Sequence, residues 1–70
     1  MMGISEEEYR HWVKKCADKA AVSFLTVVEL PGPYFELHNS SGEKVWPEPN
    51  QYRGGAHLKH LRAHLGIPYP

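Results

Sequence analysis

The stretch YFELHNSSGEKVWPEP, Tyr34 to Pro49, decides how this chain folds. Two runs rich in aromatic and β-branched residues flank a polar segment, Asn39 to Glu43, that is typical of a short hairpin loop. Gly42 supplies the left-handed position that such a loop needs. Pro47 and Pro49 cannot donate to a strand ladder and therefore end the second strand. The stretch is predicted to form a β-hairpin.

A regular register, with Asn39 opposite Glu43, sets the two faces of this hairpin. In this register Leu37 lies opposite Val45, and Glu36 lies opposite Trp46. The face expected in the core carries Phe35, Leu37 and Val45. The face expected to be exposed carries Tyr34, Glu36, His38 and Trp46. Because exposed Trp and Tyr are common interface hot spots, the second face is a candidate protein-binding surface. We expect Tyr52 and Arg53 to extend it; the alternative is that Trp46 belongs to the core.

A helix and a strand are predicted before the hairpin. Ser5 can accept from the amide of Glu8 as an N-cap, and apolar residues recur at helical spacing as far as Ala20. The expected helix runs from about Glu6 to Ala21, with Ile4 packed on Tyr9 as a staple. The next run, SFLTVVEL, has no helical spacing and predicts a strand over 23–30. Apolar residues on both of its faces, Phe24 included, favour a central or covered strand.

A turn and a second helix complete the expected fold. Pro31-Gly32 suits a type II turn between the first two strands. The run AHLKHLRAHLG predicts a short helix with its leucines inward, and Gly66 is a typical stop. The inward leucines are Leu58, Leu61 and Leu65. The predicted fold class is α+β, a single domain over 1–70, with two helices on one face of a three-stranded antiparallel sheet.

Composition restricts the stabilising devices and the partners. The chain has 70 residues and one cysteine, so an intramolecular disulfide and any cysteine-based zinc framework are excluded. A single thiol and the lack of a long apolar run predict a cytoplasmic protein with no membrane segment. Eight Lys+Arg balance eight Asp+Glu, whereas nucleic-acid-binding domains normally carry a basic excess. Cys16 falls on the apolar stripe of the first helix and is expected to be a small buried hydrophobe.

Three histidines, His57, His60 and His64, share one face of the last helix. His60 and His64, four residues apart, could share a metal ion, but the carboxylate of a metalloprotease helix is missing between them. A polar face that flanks the leucine stripe is the favoured explanation. A further alternative is a surface that gains charge below pH about 6.5 and meets an acidic partner. We therefore predict no metal site, no cofactor and no catalytic residues: a phosphate loop, a nucleophile elbow and paired carboxylates are all lacking.

The hairpin resembles the last two strands of a WW domain. Tyr34-Phe35 stand where that family has its aromatic pair, and Trp46 and Pro49 stand where it has its closing tryptophan and proline. The loop before Trp46 is one residue longer, and no tryptophan precedes the first strand. The resemblance implies a proline-binding groove between Tyr34 and Trp46.

The whole chain resembles HicA-type toxins, which have a double-stranded-RNA-binding-like fold. The order of helix, three strands and helix is similar, and so is the ending with spaced leucines, Gly66 and Ile67. In that family a Gly-Ser-His entry to the second strand carries the catalytic histidine, where this chain has Gly32-Pro33-Tyr34. The resemblance implies the fold and an RNA ligand, without the histidine of the ribonuclease reaction.

The functional expectation is a small non-catalytic binding or regulatory module. The expected partner is another protein on the outer hairpin face, and a homodimer is compatible with so small a core. The alternative is an RNA-binding or HicA-like ribonuclease domain that uses Arg53, Lys59 and Arg62 on the basic side of the last helix.

Overall fold

A computed structural model of the chain describes residues 5–68. Its elements are α1 (Glu6–Val22), β1 (Thr26–Leu30), β2 (Tyr34–His38), β3 (Lys44–Trp46) and α2 (Leu58–Leu65). The strands form one antiparallel sheet in the order β1-β2-β3, and both helices pack against one of its faces. The predicted α+β fold and its element order are confirmed. Within residues 5–68, neither helix is both long and apolar enough to cross a bilayer.

Helix α1 begins as its sequence predicts. The Ser5 hydroxyl accepts a hydrogen bond from the Glu8 amide at 3.1 Å, and three glutamates fill the first turn, where the helix dipole favours negative charge. Cys16 and Ala20 are fully buried, so the predicted role of Cys16 as a buried hydrophobe is confirmed. The expected staple from Ile4 lies outside the described residues.

The end of α1 differs from the sequence prediction. The Leu25 amide donates to the Ala20 carbonyl and the Phe24 amide to the Ala21 carbonyl, both at 3.0 Å, which is the Schellman pattern. Phe24 takes the left-handed position of this motif (φ 61°), where glycine is usual, and its side chain is 80% exposed. The strand therefore begins at Thr26 and not at Ser23, and Phe24 is not part of it.

Phe24→Gly is expected to raise the free energy of unfolding by about 1 kcal/mol, because glycine has no Cβ to oppose the left-handed conformation. Chemical denaturation of the variant and the wild type measures this difference. Phe24→Ala is the matched control: it removes the exposed ring but keeps a Cβ in the same conformation, so it should give no gain. An equal gain from alanine would mean that the ring, not the backbone, is the source of the cost.

Strand β1 lies at an edge of the sheet, so the expectation of a central strand is wrong. The pairs Val27 with Leu37 and Glu29 with Phe35 place these four side chains on the helix-covered face. The opposite face of β1 carries Thr26, Val28 and Leu30, of which the last two are only half-buried. Strand β1 therefore has apolar residues on both faces, although only one face lies in the core and neither helix covers the other.

The hairpin loop is formed as predicted. The Asn39 amide donates to the Glu43 carbonyl at 2.9 Å, and the Asn39 side-chain oxygen accepts from the amides of Ser41 and Glu43 at 3.0 Å. Gly42 has the predicted positive φ, 84°. The loop is thus closed by a single asparagine side chain, in agreement with the turn chemistry of this residue type.

The register beyond the loop was predicted wrongly. Lys44 pairs with His38, but Trp46 and not Val45 pairs with Leu37, and the ladder is irregular between these pairs. Val45 is the extra residue of a β-bulge, and a bulge shifts every later side chain to the other face. Trp46 consequently lies in the core, 4% exposed, whereas Val45, predicted to be core, is 46% exposed.

The core lies between the helix pair and the inner face of the sheet. Its buried apolar residues are Cys16, Ala20, Phe35, Leu37, Trp46, Ala56 and Leu61. Ala56 continues the sheet past the short β3, because its carbonyl accepts the Phe35 amide at 2.8 Å. Of the three leucines predicted to point inward, Leu61 is fully buried and Leu58 and Leu65 are half-buried. As predicted, Gly66 ends the helix, with a left-handed φ of 76°.

Candidate outer-face groove and the aromatic contacts behind it

Three of the predicted site residues share the sheet face that neither helix covers. Tyr34, Glu36 and His38 alternate along β2 with the buried Phe35 and Leu37, and each of the three is half-buried. His38 Nε2 lies 2.9 Å from Glu36 Oε1, so the carboxylate and the imidazole form one polar pair. The structure therefore brings together the β2 part of the predicted surface.

A groove of about 190 Å³ runs along this outer face. The floor is formed by outward residues of the three strands, and one wall is the segment over 47–56 that returns from β3 to α2. The residues that shape it are Leu30, Tyr34, Glu36, Lys44, Pro47 and Tyr52. With Glu48 also on its lining, the groove presents charges of both signs beside apolar side chains.

Tyr34 is held in place by glycines on both sides of its ring. A Cβ on Gly55 would lie 2.6 Å from the Tyr34 ring, and one on Gly32 would lie 2.7 Å from it. Gly54 passes near the hydroxyl, where a Cβ would lie 3.3 Å away. All three glycines have positive φ values, so both their conformation and the space require the absence of a side chain. Gly54 and Gly55 therefore permit the return segment to pack closely on Tyr34, and Gly32 permits the turn between β1 and β2 to do so from the other side.

The two histidines of α2 and the histidine at its N-cap each stack on an aromatic residue of the predicted site. His57 stacks on Tyr34 with ring centroids 5.2 Å apart, His60 on Tyr52 at 4.1 Å, and His64 on Trp46 at 4.8 Å. Tyr52 also meets Trp46 edge-on at 5.7 Å. The pairing was not foreseen from the sequence, because nothing local shows which residues of the loop and sheet lie against α2. These stacks join α2 and its N-cap to the sheet through Tyr34 and Trp46, and to the wall of the groove through Tyr52.

The histidine face is accounted for by packing. Among residues 5–68, no group of three or more potential ligands is placed to hold a metal ion. His60 Nδ1 accepts the backbone amide of His57 at 3.0 Å, which occupies one of the two ring nitrogens. The hydrogen bond requires that this nitrogen carry no proton.

Acid is expected to destabilise the fold through His60. Partial burial, with His57 and Lys59 nearby, lowers the pKa of this imidazole below its usual 6.5. The unfolded chain then binds the proton more tightly than the folded chain, so stability is complete above pH about 6.5 and falls as the pH drops below it. The melting temperature should decrease between pH about 7 and 5.5.

His60→Gln should remove this decrease, since the variant has no group at position 60 that titrates in the range. His11→Gln is the matched control, because His11 is exposed on α1. Melting curves of the three proteins across the range are the measurement. If His60→Gln followed the wild-type pH profile, another group would be responsible.

The basic surface expected on α2 is smaller than the sequence indicated. Arg53 and Lys59 are exposed, but Arg62 is only 3% exposed. The Arg62 guanidinium lies 3.8 Å from the centre of the Trp12 ring, and it donates to the Pro68 carbonyl at 2.6 Å. The prediction that Arg62 contributes to a nucleic-acid-binding surface therefore conflicts with its position between the helices.

Comparison with known proteins gave no match among family models, curated proteins or solved structures. The geometry bears on what the two resemblances imply. Tyr34 and Trp46 lie on opposite faces of the sheet, so the proline-binding groove that a WW-like hairpin implies is not formed between them. The HicA-type resemblance stays a prediction, because the α-β-β-β-α order alone does not identify a family.

Proposed function

We propose that this chain is a protein-binding module that holds an extended segment of another protein in the outer-face groove. The observation that carries the proposal is the groove itself: a half-buried, partly apolar sheet face that neither helix covers, walled by the return segment. A concave surface with apolar walls and a few polar groups is the usual form of a binding site.

The charges of the groove indicate what it would accept. Glu36 and Glu48 offer carboxylates and Lys44 offers an ammonium group, so no single sign dominates. A partner segment that alternates apolar residues with charges of both signs fits this lining better than a polyanion does. The wall is stiffened by Pro47 and Pro49 and by the contacts of Tyr52 with α2, which lowers the ordering cost of binding.

A displayed library of random peptides, selected on the purified chain, tests the proposal. Amide chemical-shift changes on adding a selected peptide should cluster at the outer-face residues and in the segment over 47–56. Lys44→Glu should weaken binding at least about thirtyfold, which corresponds to the roughly 2 kcal/mol of a hot-spot contact, while Lys15→Glu on the exposed side of α1 should not. Shifts confined to α1, or equal losses from both variants, would overturn the proposal.

Salt dependence distinguishes this function from the RNA alternative. A ligand held by several phosphate contacts loses roughly a thousandfold or more in affinity between about 50 and 200 mM salt. A peptide in the outer-face groove should lose far less. Binding of single-stranded or duplex RNA with a steep salt slope, abolished by substituting Arg53 and Lys59, would favour the alternative.

A further inference from the structure

The two edges of the sheet are built differently. The β3 edge is short, carries the bulge at Val45 and leads at once into Pro47, all of which are devices that prevent further strand pairing. The β1 edge lacks these three devices: its sequence, TVVEL, contains no proline and no bulge, and its five residues make it the longer edge. Its one charged residue, Glu29, is ion-paired with Arg10 of α1 at 2.6 Å. Within residues 5–68, β1 pairs only with β2, so its other side is available to a further strand.

Exposed apolar side chains lie next to this available edge. Val22 is 74% exposed and Phe24 is 80% exposed, just before β1 begins. Phe24 also keeps an unfavourable left-handed conformation that glycine would adopt without strain. A strained, exposed aromatic residue beside an unpaired strand is expected where it serves an interaction, and not where it only ends a helix.

We propose that this edge is the seam of a homodimer, in which β1 pairs antiparallel with β1 of a second copy about a two-fold axis at Val28. The partner is a second copy because the edge is complementary to itself. With Val28 opposite Val28 of the second copy, Thr26 meets Leu30 and Val27 meets Glu29, so every residue of the strand is paired and no like charges face each other.

The neighbouring registers are poorer. A two-fold seam in a continuous sheet must keep side chains on the same face, so the register can shift only with an axis at Val27 or at Glu29. An axis at Glu29 places two carboxylates opposite each other. An axis at Val27 leaves both Glu29 and Leu30 without a strand residue opposite them. The axis at Val28 is the one that uses all of TVVEL.

The same register gives Phe24 a place to bind. Although Phe24 lies outside the strand, the same register places it, at the end of α1, near the turn at Gly32 of the second copy. Gly32 and Pro33 form one side of an open groove of about 510 Å³ whose other walls include Tyr9, Tyr34 and Leu58. Each dimer would thus seat two phenylalanines, one at each end of the seam. The inference does not depend on the proposed function, although the two surfaces adjoin: Leu30 belongs to both the seam and the outer-face groove, and Tyr34 lines both grooves.

Sedimentation velocity over a concentration series tests the seam. We expect a monomer–dimer equilibrium for the wild type. Val28→Lys places two ammonium groups opposite each other at the axis and should raise the dimer Kd at least about tenfold. Val28 is half-buried and pairs with Glu36 within the chain, so this variant should still fold. Val45→Lys, the same substitution on the opposite edge, should leave the Kd unchanged.

A second variant keeps the test independent of the charge change. Phe24→Gly should raise the dimer Kd at least about tenfold, by removing both anchors, while the isolated subunit becomes more stable. A wild type that stays monomeric up to about 1 mM overturns the inference. So does a dimer that Val45→Lys weakens as much as Val28→Lys, or one that Phe24→Gly leaves unchanged.

Discussion

Trp46→Ala is expected to lower the free energy of unfolding by about 3–5 kcal/mol, the usual loss for truncating a buried tryptophan. The side chain is 4% exposed and stands opposite Leu37 on the covered face of the sheet. It also stacks on His64 and meets Tyr52, so its loss would loosen both α2 and the wall of the outer-face groove. Urea denaturation followed by far-ultraviolet circular dichroism measures the change.

Trp46→Phe is the matched control for this substitution. The indole N–H of Trp46 is buried and has no hydrogen-bond partner within residues 5–68. Phenylalanine keeps one ring and removes this donor, whose burial carries a cost of about 1–3 kcal/mol. It should therefore destabilise much less than alanine. If Trp46→Ala did not lower the free energy of unfolding, Trp46 would have to lie on the surface, which would contradict the bulged register.

Leu61→Ala is expected to cost about 2–5 kcal/mol, because Leu61 is fully buried and holds α2 in the core. In a domain of this size the loss is comparable with the whole stability, so the variant should be largely unfolded at 37 °C. The measurement is again chemical denaturation, with thermal melting as a second probe. Leu65→Ala, at a half-buried position of the same helix, is the control and should cost clearly less. Equal, small effects at the two positions would mean that α2 is not docked.

Local chemistry was sufficient to predict most of the fold. Ser5 and Glu8 indicated the start of α1, Asn39 and Gly42 the hairpin loop, and Gly66 the end of α2, and the structure confirms each. These features depend on hydrogen bonds and conformations of residues that are neighbours in sequence. Such interactions are visible in the pattern of residue types without knowledge of the tertiary structure.

The errors came from choices that the tertiary structure makes. A bulge adds one residue to a strand, and no residue type in the sequence shows where it will form. Here the bulge buries Trp46 in place of Val45, which removes more apolar surface from water. The left-handed Phe24 was missed for a similar reason, because a phenylalanine in a β-rich run predicts a strand. The left-handed conformation of Phe24 follows from the two Schellman hydrogen bonds, which only the structure shows.

The facing of the side chains was predicted correctly where alternation alone determines it and wrongly where long-range packing does. Tyr34, Glu36 and His38 share the outer face because strand period places them there. Arg62 was expected in solvent because of its charge. It is buried because its guanidinium contacts the Trp12 ring and donates a hydrogen bond to the Pro68 carbonyl. The three His–aromatic stacks likewise depend on how the sheet and the return segment lie against α2.

The burial of the only cysteine gives this chain an internal reporter of its own opening. Cys16 is wholly inaccessible, and its burial raises the pKa of the thiol, so both access and ionisation protect it in the closed state. Because no second thiol competes, the rate at which an added disulfide reagent labels the protein measures the fraction of molecules whose helices have separated from the sheet. Partial opening can then be followed at temperatures and denaturant concentrations where circular dichroism still reports a fully folded protein.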